Sequence, residues 1–475
     1  MAPRRCSAIP IVTAVLLVGL APALPAAAGP PAPGAFQTVR FVQRVSEDAV
    51  AGPPSAEADT ETEPDIAVDP NDPDVVVAVF QQGRFPDGGS VDPGFATSHD
   101  GGQTWVHGNL PGLTTAAGGS YDRSSDPAVA FGPDGSVYAT TLPFDAPGCR
   151  SAVSVQRSDD GGLTWEVPAF PEADDDCKVF NDKNWMTVDT FPGSPHFGRV
   201  YVTWDQFRAN TTPHSEPIVL RYSDDRGATW SDLVVASAPE AEAIGVLPVV
   251  EPNGDLAIVY DDFSTGDDVL VSQVSHDGGV TFDPEVKISR LREALESHVR
   301  TGGLPAAAVD PVTGRLFAVW QDDRFRTDGH NDVVIARSSS EGAHWSRVKR
   351  VNPGQTAAGL NSFSALTPDV AAYGGIVHVT YRTRDDSGPE PSNLVQERYV
   401  VSIDGGKSFG GELLIGPRTN LRFAAVSGQA QAFLGDYMGV AATADTAYLV
   451  WCVARRPAPG GGPFDQTTWS ATIVR

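Results

Sequence analysis

The sequence predicts an all-β chain folded as a β-propeller of four-stranded antiparallel blades, and three observations carry that expectation. The string SHDGGQTW at residues 98–105 returns five times in degenerate form: SDDGGLTW at 158–165, SDDRGATW at 223–230, SHDGGVTF at 275–282, SSSEGAHW at 338–345 and SIDGGKSF at 402–409. Their third positions lie 60, 65, 52, 63 and 64 residues apart, so the chain is an array of units of about sixty residues. Each unit repeats a grammar of four short strands whose first member is built largely of Ala and Val, small side chains that suit the inner rim where blades converge.

Residues 1–28 read as a secretory signal: Arg4 and Arg5, an apolar run over 11–20, then Ala26-Ala27-Ala28 with cleavage after Ala28. Cys6 precedes the apolar run, unlike a lipoprotein cysteine, and no later stretch reaches the ~18 apolar residues of a membrane span. The expectation is a secreted, soluble, monomeric protein with one domain over 29–475. Of 34 basic side chains two leave with the signal, so 32 face 60 acidic ones and the net charge is −28. That charge repels nucleic acid and anionic membranes.

Blades are expected at 64–110, 126–170, 183–237, 246–288, 304–351, 367–416 and 436–475. In the first, strands fall at 65–68, 75–80, 95–98 and from 105 onward. The last contains YMGVAAT, AYLVWCV and TTWSATIV but no repeat string and no fourth strand. Residues 36–46, FQTVRFVQRVS, resemble the strand after the fifth string, WSRVKRVN, and are expected to supply it. Joining the two ends makes seven blades and removes exposed edges; six blades with an appended hairpin is the alternative.

Within the repeat strings, Asp100, Asp160, Asp225, Asp277 and Asp404 can fold their carboxylates onto turn N–H groups, and the Gly two positions later permits φ > 0. The aromatic that ends each string drives apolar surface under the turn. These are structural staples: the fifth string has Ser340 in place of Asp, which a staple tolerates and a catalytic acid does not. Cys149 and Cys177 fall in neighbouring loops and are expected to pair in an oxidising compartment, while Cys452 in LVWCVA reads as a buried thiol.

Antiparallel order puts the short turns and the repeat strings on one face and the long connections on the other. The latter include 81–94, 205–216, 321–331, 382–393, 453–466 and 290–303, where LREALESHV is expected as a short helix. The strands leading there end in Phe80, Trp204, Tyr260, Trp320 and Tyr381, followed by polar side chains. Arg84, Arg324, Arg382, Arg384, Arg455 and Arg456 reach that face with Asp205, Asp261, Asp262, Asp322, Asp323, Asp385 and Asp386. The starts of the inner strands add Asp65, Asp126, Lys183, Asn184, Asp369 and Asp436 near the axis. Aromatic faces such as Trp320 and Tyr381, arginine forks such as Arg84, and a carboxylate pair are how a sugar site is assembled. For any one of these residues an inter-blade salt bridge is the plainer explanation. The acidic run 172–176 is a further cue, for calcium.

On the repeat strings the chain resembles the BNR, or Asp-box, branch of the sialidase-like propellers over nearly all of 29–475. The resemblance implies an exo-glycosidase in which three arginines, here drawn from Arg324, Arg382 and Arg455, clamp a carboxylate. It implies a Tyr nucleophile, matched by Tyr437 in LGDYMG beside Asp436, and an Asp acid/base, matched by Asp65 or Asp126. The family's Phe/Tyr-Arg-Ile-Pro element has no counterpart, VRFV and GRFP being the nearest strings, and no Glu is expected beside Tyr437. Glu251 falls on the opposite face, and Glu63, Glu240, Glu242, Glu293 and Glu296 fall in loops. The reading is a glycoside hydrolase acting on an anionic or terminal sugar of extracellular glycans, with no cofactor. A non-catalytic propeller that binds a glycan or protein is the alternative, and a metal-assisted hydrolase or lyase the third. The arginines, Asp436, Tyr437, Asp65 and Asp126 are expected to gather at the axis as a positive patch.

Overall fold

A computed structural model describes residues 38–47, 50–209, 211, 214–301, 303–353, 363–385, 392–428 and 430–475. The signal segment 1–28, Phe36 and Asp386 lie outside them. The chain is an all-β propeller of four-stranded antiparallel blades. Four sheets of four strands occur in chain order: Val179–Val188, Val200–Arg208, Ile218–Ser223 and Val234–Val235; Ala243–Val250, Leu256–Asp262, Val269–Ser275 and Val286–Arg290; Ala306–Val309, Leu316–Asp322, Asp332–Ser338 and Lys349–Arg350; Phe363–Tyr373, Ile376–Asp385, Leu394–Ser402 and Gly410–Asn420.

The remaining large sheet has twelve strands, so among the described residues hydrogen bonding makes five large sheets rather than seven or six separate ones. Two links weld it. Thr60 pairs with Gln466 and Ser90 with Ser124, each the single registered pair between its two strands. Between these links lie three groups of four strands: Glu57–Val68 to Val106–Asn109, Arg123–Phe131 to Ala169–Asp174, and Gly439–Ala442, Thr446–Ala454 and Gln466–Val474 joined by Thr38–Arg44. Thr38–Arg44 runs antiparallel to Gln466–Val474, with Thr38 opposite Val474 and Arg44 opposite Trp469.

Apolar cores fill the space between successive sheets, and the series closes on itself. Val77 and Val79 meet Val129 and Val137; Tyr138 and Val153 meet Val202 and Trp204; Tyr201 and Leu220 meet Ile258 and Tyr260. Leu270 meets Trp320, Phe317 meets Val379, and Val379 shares its cluster with Leu449 and Ile473. Tyr448 and Val450 then pack on Ile66 and Val76, which returns to the first group.

Five inner strands carry the same irregularity, a register shift at their axial end: Thr62/Asp65, Ser125/Ala128, Asp182/Trp185, Ile244/Leu247 and Leu366/Asp369. Each bulge holds one left-handed residue, at Glu63 (φ 51), Asp126 (φ 46), Lys183 (φ 46), Gly245 (φ 71) and Thr367 (φ 47). Three are followed by proline: Pro64, Pro127 and Pro368. Proline removes a ladder donor and a bulge absorbs the loss. The inner strands therefore start upstream of the boundaries expected from the sequence, at Glu57 instead of 65 and at Phe363 instead of 367. The expected helix within 290–303 does not form. Residues 291–299 are non-helical, and Val299–Arg300 pairs parallel with Ala432–Phe433 in a small three-stranded sheet over the axis.

The repeat strings form hydrogen-bonded turns. In the first, Asp100 accepts from the Ser98 hydroxyl (2.8 Å), the Thr104 N–H (2.8 Å) and the Thr104 hydroxyl (2.7 Å), while Ser98 Oγ accepts from Gly102 N (2.8 Å). Gly102 is left-handed, and a Cβ there would meet Thr472 Oγ1 at 2.7 Å. Asp160, Asp277 and Asp404 accept from the matching Ser and from Thr or Ser four residues on. The Thr229 hydroxyl and N–H hold Asp225 below the usual carboxylate range. In the fifth string Ser340 Oγ accepts the His344 N–H instead (3.1 Å). Cys149 and Cys177 form a disulfide, and Cys452 is buried.

The aromatics of the strings are half-buried. Trp165, for example, lies 5.8 Å from the Phe95 ring and joins the core between two blades. Full burial is the condition for the ~3–5 kcal/mol of a large core truncation, so Trp165→Ala is expected to cost about 2 kcal/mol by chemical denaturation, with the folded ring retained.

Candidate functional site

The left-handed bulges turn three charged side chains from three blades to one point on the axis. Lys183 Nζ lies 3.2 Å from Asp126, 3.6 Å from Glu63 and 2.8 Å from Asp436, which comes from the loop before the last inner strand. Arg300 forks onto Asp436 from above, with Nε 3.0 Å from Oδ1 and Nη2 2.5 Å from Oδ2. Glu63, Asp126 and Asp436 are all at least 96% buried. Gln81 donates to the second oxygen of Glu63, and Asn184 donates to the Asp126 carbonyl (3.1 Å).

These environments push the carboxyls apart. Burial, with Asp126 and Asp436 alongside, raises Glu63 to about 7 against the pull of Lys183 and Arg84. Burial acts on Asp436 too, but Lys183 and Arg300 outweigh it and hold the group well below the usual range. For Lys183, burial disfavours the charge, and Asp126, Asp436 and Glu63 together overcome it and lift the ammonium well above its ordinary value. Near neutral pH the cluster thus holds a carboxyl able to give a proton beside one fixed as an anion.

Lys183 and Asp436 floor a cleft of about 520 Å³ on the long-loop face. Its walls include Arg84, Asp87, Glu293, Glu296, Arg300, Ser427 and Gln431. Adjoining it through Lys183, Leu304 and Asp436 is a smaller cavity of about 60 Å³ lined also by Asp126, Trp185, Leu247 and Tyr437. On the opposite face the Ala- and Val-rich inner strands line a wider apolar channel.

Of the residues singled out by sequence, Asp126, Asp436, Tyr437 and Arg84 come together here. Tyr437 donates to the Pro127 carbonyl (3.0 Å) and meets the Trp185 edge at 5.0 Å. Burial, then Glu63 and Asp126, push its hydroxyl well above the ordinary phenol range. Asp65 sits on the channel side and straps two blades, accepting the Val129 N–H at 2.8 Å.

The expected arginine clamp is not assembled. Arg382 is buried beneath the axial loop, donating to the Leu434 (3.2 Å) and Gly435 (3.4 Å) carbonyls with Glu397 at 4.0 Å. Arg324 folds back on Asp322 and the Trp320 ring, and Arg455 stacks on Trp469. Trp320 and Tyr381 are fully buried, donating to Asp322 (2.9 Å) and Glu412 (2.5 Å). The axial patch is accordingly a balanced ion cluster, not a positive one. In the acidic run 172–176, Glu172 pairs with Arg221 and Asp174 accepts from Asn181.

Sequence reasoning missed Glu63 and Arg300. Glu63 lies within the strand Glu57–Val68, not in a loop, and its Oε1 is 3.5 Å from Asp436 N, one residue from Tyr437. The available signal was the charged residue before proline at the start of an inner strand, shared by Glu63-Pro64 and Asp126-Pro127. Arg300 had none, since its place depends on the small sheet over the axis.

No family model and no curated protein matches the sequence. Among solved structures, a phage phi92 endosialidase matches with a TM-score of 0.51 and 10% identity, over 92% of this chain and 69% of its own. The two chains share a fold, which in this chain is a β-propeller. An α-L-arabinofuranosidase of Fusarium graminearum in complex with an iminosugar inhibitor aligns over 92% of this chain and 98% of its own (TM-score 0.48, 11% identity). A Hadza microbial sialidase aligns over 83% and 75% (TM-score 0.47, 14% identity). At such identities the likeness concerns fold alone.

Asp65 gives a prediction independent of activity. Burial raises its carboxyl to about 7, against hydrogen bonds from Val129 and Ile66. A raised folded-state value means stability present at acid pH and lost as pH climbs through about 7. Asp65→Asn keeps an acceptor for Val129 without the charge, so its Tm should gain on wild type by a few degrees at pH 8 and by little at pH 5.

Proposed function

We propose that this protein is an exported glycoside hydrolase that works on extracellular glycans from the axial cleft. The observation that carries the reading is Glu63 and Asp436: two buried carboxyls flanking Lys183 beneath a polar cleft that Lys183 and Asp436 line, one raised to about 7 and the other held ionised. Opposed environments of this kind separate an acid from an anion. Glu63 protonates the departing glycosidic oxygen, Asp436 stabilises positive charge developing at the anomeric carbon, and Asp126 serves as the base or nucleophile. Glu63, Asp126 and Lys183 hold left-handed backbone that glycine would adopt without strain, as Gly245 does, and strain retained by charged residues in a cleft supports a chemical role.

The same reading takes the ring as seven blades over residues 36–475. The twelve-stranded sheet is three blades touching through two single links, and the strand Thr38–Arg44 completes the last. The repeat strings serve as staples on the far face, and the signal segment directs export.

The alternative, a non-catalytic propeller that binds a glycan or protein, draws on Lys183 itself. Its ammonium already satisfies Asp126 and Asp436, as a purely structural ion cluster would. Release of a reporter phenol from a panel of aryl glycosides separates the two. Turnover is expected, with kcat/KM falling as pH rises above about 7. Glu63→Gln should lower kcat about 10²- to 10⁴-fold, the range of general acid catalysis, and abolish that limb of the profile. No turnover across the panel, or a Glu63→Gln enzyme with wild-type rates, would leave the binding reading.

A further inference from the structure

The channel on the face opposite the cleft has a volume of about 340 Å³, and its walls are the Ala- and Val-rich inner strands with Phe131, Phe191 and Pro248 among them. Among the described residues its lining holds two charged groups, Asp65 and Asp369, and no Lys, Arg or His. Asp369 and Trp185 also line the small cavity that adjoins the cleft, which places them at the inner end of the channel. Asp65 stands at the same level, since Asp65, Trp185 and Asp369 are each the first registered residue after their bulge.

Each acid accepts one backbone N–H from the next blade at Oδ2, Asp65 from Val129 (2.8 Å) and Asp369 from Val440 (2.6 Å). Among the described residues no side chain donates to either and no cation pairs with either. Linking blades does not account for these carboxyls. At the same position three other inner strands carry Ala128, Trp185 and Leu247, and their blades close without such a bond. Where a link is wanted, Asn accepts the same N–H without a charge. Asp369 is partly exposed, and burial, then the neighbouring Asp65, hold its carboxyl well above the usual range. Two neighbouring acids in an apolar space without a counter-ion are each destabilised as anions, and a cation arriving beside them relieves both.

We propose that the channel binds a slender organic cation, a primary alkylammonium ion, with its ammonium at Asp65 and Asp369 and its alkyl chain along the Ala and Val walls. Trp185 supplies an aromatic ring at the same end, a surface that attracts organic cations. A bare metal ion fits less well. Calcium takes about six to eight oxygen ligands, and no group of three or more acidic, His or Cys side chains suited to a metal forms among the described residues. The site is independent of the glycoside hydrolase reading, because it lies on the other face and uses neither Glu63 nor Asp436.

The test is calorimetry on the intact chain with butylammonium and hexylammonium chloride, with hexanol as the neutral counterpart and calcium chloride as competitor at matched ionic strength. Hexylammonium should bind at one site, roughly tenfold or more tightly than hexanol, and each methylene added between butyl and hexyl should tighten binding about fourfold, the effect of one buried CH₂. Affinity should rise from pH 6 to pH 8, since burial raises Asp65 to about 7 and its carboxyl must shed a proton to meet the ammonium. Tyr437, which neighbours Asp65, is held well above the ordinary phenol range and stays neutral over that interval. Asp369→Asn keeps the acceptor for Val440 and should weaken hexylammonium about 10- to 100-fold with hexanol unaffected, the scale of a lost hydrogen bond to a charged group. Ala308→Leu narrows the channel without altering either acid. It should weaken amine and alcohol alike, which covers the case in which Asp369→Asn fails to fold. No binding, equal affinity for amine and alcohol, displacement by calcium, or wild-type affinity in either variant overturns the site. Amine binding by a chain that turns over no glycoside keeps the site and discards the catalytic reading.

Discussion

A strand that lines the axis of a ring alternates its side chains between two neighbouring blades, so nothing in a regular strand points at the axis itself. The site depends on breaking that alternation. A two-residue bulge with one left-handed residue does so in five inner strands, and in three of them the left-handed residue is Glu63, Asp126 or Lys183. The same bulge absorbs Pro64 and Pro127, whose missing N–H groups would be a fault in a central strand. Backbone irregularity and functional geometry are one feature. Left-handed backbone at non-glycine residues costs of order 1–3 kcal/mol each, which the inter-blade cores on either side sustain.

The second constraint is charge in a dry place. An ammonium as buried as that of Lys183 survives only with anions in contact, and anions as close as Glu63, Asp126 and Asp436 cannot all ionise without it. The protein resolves this unevenly. Arg300 leans on Asp436 and not on Glu63, so one carboxyl is fixed as an anion and the other is free to hold a proton. The small sheet Val299–Arg300, Ala432–Phe433 and Ala425–Val426, which brings Arg300 over the axis, thereby sets the chemistry of a residue carried by a distant inner strand.

The periodic part of this architecture was legible in the sequence because it follows from local rules repeated along the chain: a turn string every sixty residues, strand alternation, and small residues at the rim. Asp126, Asp436 and Tyr437 were legible for the same reason, since the strand pattern in the sequence sets each at the start of an inner strand. What escaped was non-periodic. Glu63 lay hidden because the Pro after it ends a strand in any local reading, whereas the fold continues that strand back to Glu57. Arg300 follows LREALESHV, whose pattern suggested a short helix, and pairing of Val299–Arg300 with Ala432–Phe433 overrides that local preference. Arg324, Arg382 and Arg455 share the right face but have nearer partners, and an arginine takes the closest carboxylate, carbonyl or ring it can reach.

The failure of that arginine set to converge separates fold from site. A propeller guarantees that inner-strand starts and the loops beside them open at one mouth, so some cluster of polar residues will meet there whatever the sequence. Which residues meet is decided by bulges and crossing loops, and those differ among chains that share the ring. In this chain the axis gathers acids around a lysine.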